Sequence, residues 1–197
     1  MKRYTLAVLM RNQFGVLNRL TNVFRRRQFN INSIAVNETD TDELSRITIT
    51  FEGEDITKDH LICQLLKLPD VYYIRELVPQ NCVTVELTIV KLQCDEQRRP
   101  ELLAVMEDFG ATFADESGGV TVVQLTADCS TIEVFLRRMQ TFSVLELCRS
   151  GPVCLEKGTV TLRPKKLEAI KRNVAISDRR NILWQKSFIS RTATCRN

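Results

Sequence analysis

Residues 11–36 read "RNQFGVLNRLTNVFRRRQFNINSIAV", and this stretch decides the fold. The preceding "RYTLAVLMR" alternates well enough for a half-buried strand, whereas Val16, Leu17, Leu20, Val23 and Phe24 recur at helical spacing,. Between them stands a single glycine, Gly15, and the chain resumes a strand pattern at "INSIAVNET". A strand, a tight glycine turn, a helix and a second strand are therefore expected in that order.

Outward from this stretch the pattern continues. "LSRITITFEG" is a third strand, joined to the second across the polar "DTDE", which suits a hairpin turn,. "TKDHLICQLLKL" reads as a second helix with Thr57 or Asp55 as candidate caps, stopped by Pro69 and Asp70, and "VYYIRELV" as a fourth strand,. The order is βαββαβ, and after "VPQN" at 78–81 it runs again. "CVTVELTIVKLQC", "RRPELLAVMEDFG" with Pro100 in its first turn, "ATFADES", "GVTVVQLTA", "STIEVFLRRM" and a last strand "FSVLELCRSG" repeat it,. The expected fold class is α+β, two consecutive ferredoxin-like units, each with both helices on one face of a four-stranded antiparallel sheet. The expected division is 1–78, 79–163 and a basic tail from 164 to 197.

The 197 residues are 44% hydrophobic and 26% charged, which suits a soluble protein able to bury a core,. No apolar run approaches the roughly 18–20 residues needed to cross a bilayer, and "MKRYTLAVLMRNQFG" has no small-residue cleavage site, so a cytoplasmic location and no membrane partner are expected,. Seven cysteines without a CxxC pair point to reduced, mostly buried thiols and no metal site,. The net charge of +4 misleads until it is located: residues 164–197 hold nine Lys or Arg against Glu168 and Asp178, a net of +7, which leaves −3 for residues 1–163. The basic excess is in the tail, and no nucleic-acid groove is expected in the body.

No catalytic residues are expected. The one histidine, His60, sits beside Asp59 in a predicted helix, where it reads as a surface histidine, and no GxSxG, P-loop or HExxH occurs,. Binding chemistry is better provided for. A turn at Gly15 lets backbone approach a ligand, and the first amides of the helix, lacking i−4 carbonyls, can take a carboxylate. Asn12 can accept from those amides or donate to a ligand, and Asn30 and Asn32 lie on the strand expected to return beside the same end of the helix. Together with Val16, and with Leu9, Leu17 or Ile34 for an apolar side chain, they form a candidate site for a small zwitterion.

"NQFGVLNRL", "FNINSIAV" and "LSRITITFEG" resemble the ACT domain that opens the small regulatory subunit of acetohydroxyacid synthase (acetolactate synthase), and "IVKLQC", "TVVQLTA" and "LELCRSGPVCLEKG" resemble that subunit's C-terminal domain in the same order. The resemblance spans about residues 1–160. It implies a regulatory subunit without catalytic residues that activates the catalytic large subunit and confers feedback inhibition by valine or a related branched-chain amino acid. It also implies a homodimer through ACT domains with a continuous eight-stranded sheet, and an effector at the interface. Asn12, Gly15 and Asn30 match the family's binding positions. Thiamine diphosphate, magnesium and FAD are then expected in the catalytic partner and no cofactor in this chain. The second copy has no NxxG turn, so no equivalent site is expected there. An ACT-type sensor of another enzyme is an alternative. A single-stranded nucleic-acid binder is disfavoured, because "RITITFEG" offers one aromatic residue, Phe51, and "TVVQLTA" none,.

The tail has no counterpart in the resemblance. Its "LEAIKR" and "ILWQKSFI" clusters have no core of their own, and a segment of this length seldom folds unaided, so disorder or docking on a partner through Trp184 is expected,. Deleting residues 165–197 should leave dimerisation and valine binding nearly unchanged. Sedimentation velocity and calorimetric titration of the shortened chain check this, and a monomeric or valine-blind product would show that the tail completes the regulatory fold.

Overall fold

The computed structural model describes residues 2–162; the basic tail lies outside them. The chain divides into two compact units, one of residues up to Asn81 together with Glu156 and the described residues after it, the other Cys82–Leu155.

The first unit runs β1 (Lys2–Arg11), α1 (Val16–Arg26), β2 (Ile31–Glu38), β3 (Leu44–Gly53), α2 (Asp55–Leu65) and β4 (Val71–Glu76). Its sheet order is β2-β3-β1-β4, with every pair antiparallel. This is the ferredoxin-like arrangement expected from the element order. One face of β1, carrying Tyr4, Leu6, Val8 and Met10, meets Val16, Leu20 and Phe24 of α1 and Leu61, Ile62 and Leu65 of α2 in a single core. Phe51 anchors it, with the Tyr4, Phe24 and Phe29 rings 5.3–5.7 Å from its own.

β1 departs from the half-buried strand expected of its alternation: Leu6 to Met10 are all buried. The cause is position, since β1 is central. Ala7 pairs with Thr48 and Arg75, and Leu9 with Arg46 and Tyr73, so each small or apolar residue on the far face has a longer neighbour on either side,. The expected caps of α2 also differ. Glu54, with extended backbone, precedes the helix and gives no side-chain cap. Asp55 instead accepts from Tyr4 Oη (2.7 Å) and Lys2 Nζ (2.8 Å), and these bonds hold its carboxyl below the usual range.

The second unit repeats the plan with β5 (Cys82–Gln93), α3 (Arg99–Phe109), β6 (Thr112–Ser117), β7 (Val120–Ala127), α4 (Cys129–Met139) and β8 (Ser143–Arg149), in the order β6-β7-β5-β8. Val90, Leu92, Leu102, Val105, Ile132, Phe135 and Met139 form its core. An additional strand, β9 (Val153–Glu156), pairs with β5 and was not expected. The reason is length: β7 and β8 pair with β5 only from Glu86 and Thr88 onward, so its first residues have backbone to offer another strand. Ser150 sets the turn toward β9, accepting from the Leu87 amide (3.0 Å) and donating to the Gly151 carbonyl (2.8 Å). Glu86 is only 2% exposed and receives Arg149 Nε (2.6 Å) and Nη2 (3.0 Å). Those bonds, with Glu133 beyond, raise the guanidinium's pKa above its ordinary value,. Of the described cysteines, Cys82 and Cys154 are buried, Cys63, Cys94 and Cys129 half-buried and Cys148 exposed, so fewer of these are buried than expected.

The two copies end their first helices alike. In α3 the left-handed residue is Gly110 (φ 68°), with Ala111 N bonded to Met106 O. In α1 the equivalent residue is Gln28 (φ 58°), with Phe29 N bonded to Phe24 O and the two rings in edge contact,. A left-handed conformation costs an L-residue about 1–2 kcal/mol, more than glycine loses in chain entropy. Gln28→Gly should therefore raise unfolding stability by about 0.5–1 kcal/mol, measured by denaturant titration.

Candidate functional site

The turn between β1 and α1 is built around backbone conformation. Gly15 is the N-cap of α1, with φ 78° and ψ −5°, and no side chain caps the first turn. Val16 N reaches Gln13 O at 3.3 Å and Arg19 N reaches Gly15 O at 3.1 Å, which leaves the Leu17 and Asn18 amides directed out of the helix start,. Arg19 stands over the turn, its Nη1 3.7 Å from where a Cβ on Gly15 would lie. Its Nε and Nη2 hold Asp70 Oδ2 at 2.8 and 2.7 Å, and Asp70 O accepts from Arg11 N at 2.8 Å. The turn is thus tied to the start of β4 and faces a positive helix end with a guanidinium beside it.

Asn12 does not cap the helix. Its Nδ2 donates to Glu38 Oε1 (3.1 Å) and to Asp42 O (3.0 Å), and its backbone N–H donates to Glu43 O (2.8 Å). Asn12 and Gly15 therefore share one end of the unit with the β2–β3 hairpin turn.

Asn30 and Asn32 do not join them. The ladders pair Ile31 with Phe51 and Glu38 with Ser45, while β1 pairs Tyr4 with Phe51 and Arg11 with Leu44. β2 therefore starts at the opposite end of the sheet and reaches the Gly15 end only at Glu38. At about 3.3 Å per residue, the seven steps from Ile31 to Glu38 span about 23 Å. The expectation that these asparagines return beside the same end of the helix is corrected on this ground. Both are exposed.

The apolar candidates also sort. Val16 (2% exposed) points into the core and Leu9 lies within the sheet, so neither side chain is available to a ligand. Leu17 (42%), Ile34 (36%) and Val36 (40%) are accessible. α1 connects β1 to β2 and packs Phe24 against Phe51 of β3, and Leu17 stays out of the core although its spacing fits the apolar stripe. Glu38, Arg19 and Asp70 were not among the expected site residues. Glu38 is recognisable only from the hairpin register, which sequence spacing does not supply.

Among the described residues, no group of three or more His, Cys, Asp or Glu is arranged to hold a metal ion, and no helix is long and apolar enough to cross a membrane. His60 is an exposed residue of α2.

A βαββαβ sandwich with a left-handed glycine opening its first helix and an accessible edge strand beside it defines an ACT-type regulatory unit. Residues 6–73 match the family model described as the AHAS small subunit-like ACT domain, and residues 85–158 match the one described as the small subunit of acetolactate synthase. The acetolactate synthase small subunit of Mycobacterium leprae is 36% identical over 155 residues, covering 79% of this chain and 92% of that one. That of Mycolicibacterium smegmatis is 33% identical over 155 residues, covering 79% and 91%. The crystal structure of the Thermotoga maritima acetolactate synthase small subunit superposes with a TM-score of 0.74 at 31% identity, covering 81% of this chain and all of that one. The chain belongs to the family of acetolactate synthase small subunits: it is a regulatory, non-catalytic subunit, and a catalytic large subunit is its partner. Membership displaces both the sensor of another enzyme and the nucleic-acid binder.

Gly15→Ala places a Cβ in ordinary contact distance of Arg19 but forces a left-handed alanine. The variant should fold and lose about 1–2 kcal/mol of stability by thermal or denaturant unfolding.

Proposed function

We propose that this subunit activates the catalytic subunit of acetolactate synthase and makes it sensitive to valine or a related branched-chain amino acid, bound at a site shared between two copies of the chain. The separation of Asn12 and Gly15 from Asn30 carries this reading. Residues that match one family binding site lie at opposite ends of the first sheet, and two copies can bring them together. A two-fold axis at Ile34, with the β2 edges antiparallel, sets Asn30 of the partner subunit beside Glu38 and the Gly15 turn. It also extends the two four-stranded sheets into one of eight.

In that arrangement the Leu17 and Asn18 amides and Arg19 receive the effector's carboxylate. Leu17 and Ile34 offer it apolar surface, and Asn30 and Asn32 of the partner subunit supply polar groups from the other side. Residues 1–78 are assigned effector binding and 79–163 the remaining regulatory role. The chemistry of the reaction belongs to the catalytic subunit, to which thiamine diphosphate, magnesium and FAD are assigned. Valine inhibits by favouring one state of the assembly, with a coupling of about 1–3 kcal/mol being ordinary.

Complementation tests the shared site. Gly15→Asp puts a carboxylate against the turn, and Asn30→Ala removes a contact from the opposite end, so each homodimer should lose valine binding by calorimetry. Mixed dimers of the two variants hold one site with both defects and one with neither. They should bind valine at half the wild-type stoichiometry. Mixed dimers that bind none place the two residues in one chain's site, and homodimers that bind at wild-type affinity place the altered residue outside any site.

A further inference from the structure

We propose that Glu38 is a specificity-determining residue: its carboxylate, seated on Asn12, is the counter-charge for the effector's ammonium group and makes this site demand an α-amino acid. The inference rests on the effector reading above and adds a residue and a role to it.

The hydrogen bonds of Asn12 lead to Glu38. Both partners of its Nδ2, Glu38 Oε1 and Asp42 O, are oxygens that only accept, so the amide orientation follows from chemistry: nitrogen toward the hairpin, Oδ1 away from it,. The backbone N–H is also engaged, by Glu43 O at 2.8 Å. Asn12 has spent every donor on the protein, and the one group its side chain retains for a ligand is an acceptor. An acceptor with a carboxylate 3.1 Å from the same amide is poorly suited to an anion and well suited to an ammonium, which has only donors to give,.

Glu38 itself is available. It is exposed, it makes no ion pair among the described residues, and only its Oε1 is used by Asn12. Of the cations at this end, Arg19 is committed to Asp70 and stands on the other side of the turn, over Gly15, and Arg11 Nε donates to the Tyr72 hydroxyl at 3.1 Å. The site is therefore polarised along its length. The start of α1, with the Arg19 Nη1 not used by Asp70, offers donors, the Asn12–Glu38 end is negative, and a zwitterion fits in one direction only. Leu17 and Ile34, both accessible, remain for its side chain.

The test compares two ligands on two proteins. Valine and 2-hydroxyisovalerate share a side chain and a carboxylate and differ in carrying an ammonium or a hydroxyl. Glu38→Gln keeps an oxygen to accept from Asn12 and removes the charge. Calorimetric titration of the full-length dimer should show valine weakened about tenfold in Glu38→Gln and the hydroxy acid unchanged or tighter, so that the preference for the amino acid falls by at least that factor. Wild-type affinity for valine in Glu38→Gln overturns the proposal. Equal weakening of both ligands does so too, because it makes Glu38 a support for Asn12 rather than a partner of the ammonium. A wild-type chain that takes up no valine removes the effector reading itself, a result separate from either of these.

Discussion

The ten-residue antiparallel ladder between β1 and β3 is the constraint from which the rest of the first unit follows. It runs from Lys2 against Gly53 to Arg11 against Leu44 without a break. A slip of one residue would turn Tyr4, Leu6, Val8 and Met10 away from the helices and abolish the core, so the register is strongly specified,. Because β2 also pairs antiparallel with β3, β1 and β2 point the same way, and both finish at one end of the sheet. α1 has to return between them, so it begins at that same end. Glycine turn, helix start, Asn12 and Glu38 are thus gathered by topology, and the same topology sends Asn30 away.

The corresponding edge strands of the two sheets are treated unequally. A bare strand edge normally carries Lys, Pro or inward charge to prevent pairing with another chain. β2 reads "INSIAVNE" and has no Lys, Arg or Pro, while Ile34 and Val36 stand accessible along it. The corresponding edge strand of the second unit, β6, reads "TFADES" and carries Asp115 and Glu116, the latter paired with Arg99. One edge is left open to a strand and its counterpart is charged, consistent with a dimer that forms through the first unit.

Periodicity made the element order legible because each helix and strand presents its own apolar face locally. What it missed depended on residues far apart in sequence. Leu17 satisfies the helical spacing but stays exposed, outside the core. β9 exists because β5 outlasts its other partners. Asp55 fits the sequence pattern of a cap yet serves Tyr4 and Lys2 across the sheet. In the candidate site, Gly15 was legible as a turn from its place between an alternating strand and an apolar helical stripe, whereas its left-handed backbone was not, since an N-cap is ordinarily extended,. The ends at which Asn30 and Glu38 lie could come only from the hairpin register, which five polar or acidic residues between Glu38 and Leu44 leave open.

A site divided between chains has thermodynamic consequences that a pocket within one chain lacks. In the proposed dimer each chain would supply the glycine turn to one site and Asn30 to the other, so any change in how the two edges pair would alter both sites at once, and the ligand would report on the pairing through its own affinity. A ligand shifts an equilibrium only by the difference in its affinity for the two states. A zwitterion held as proposed would have much to lose when the edges move, because its ammonium and carboxylate would be matched to groups fixed on different elements and its side chain would rest on the seam. Linkage then runs in both directions. If the effector favours the less active assembly, engagement of the catalytic subunit in its active state must weaken the effector by the same factor. Under the proposed function, the open edge of β2 is where that exchange of free energy would take place.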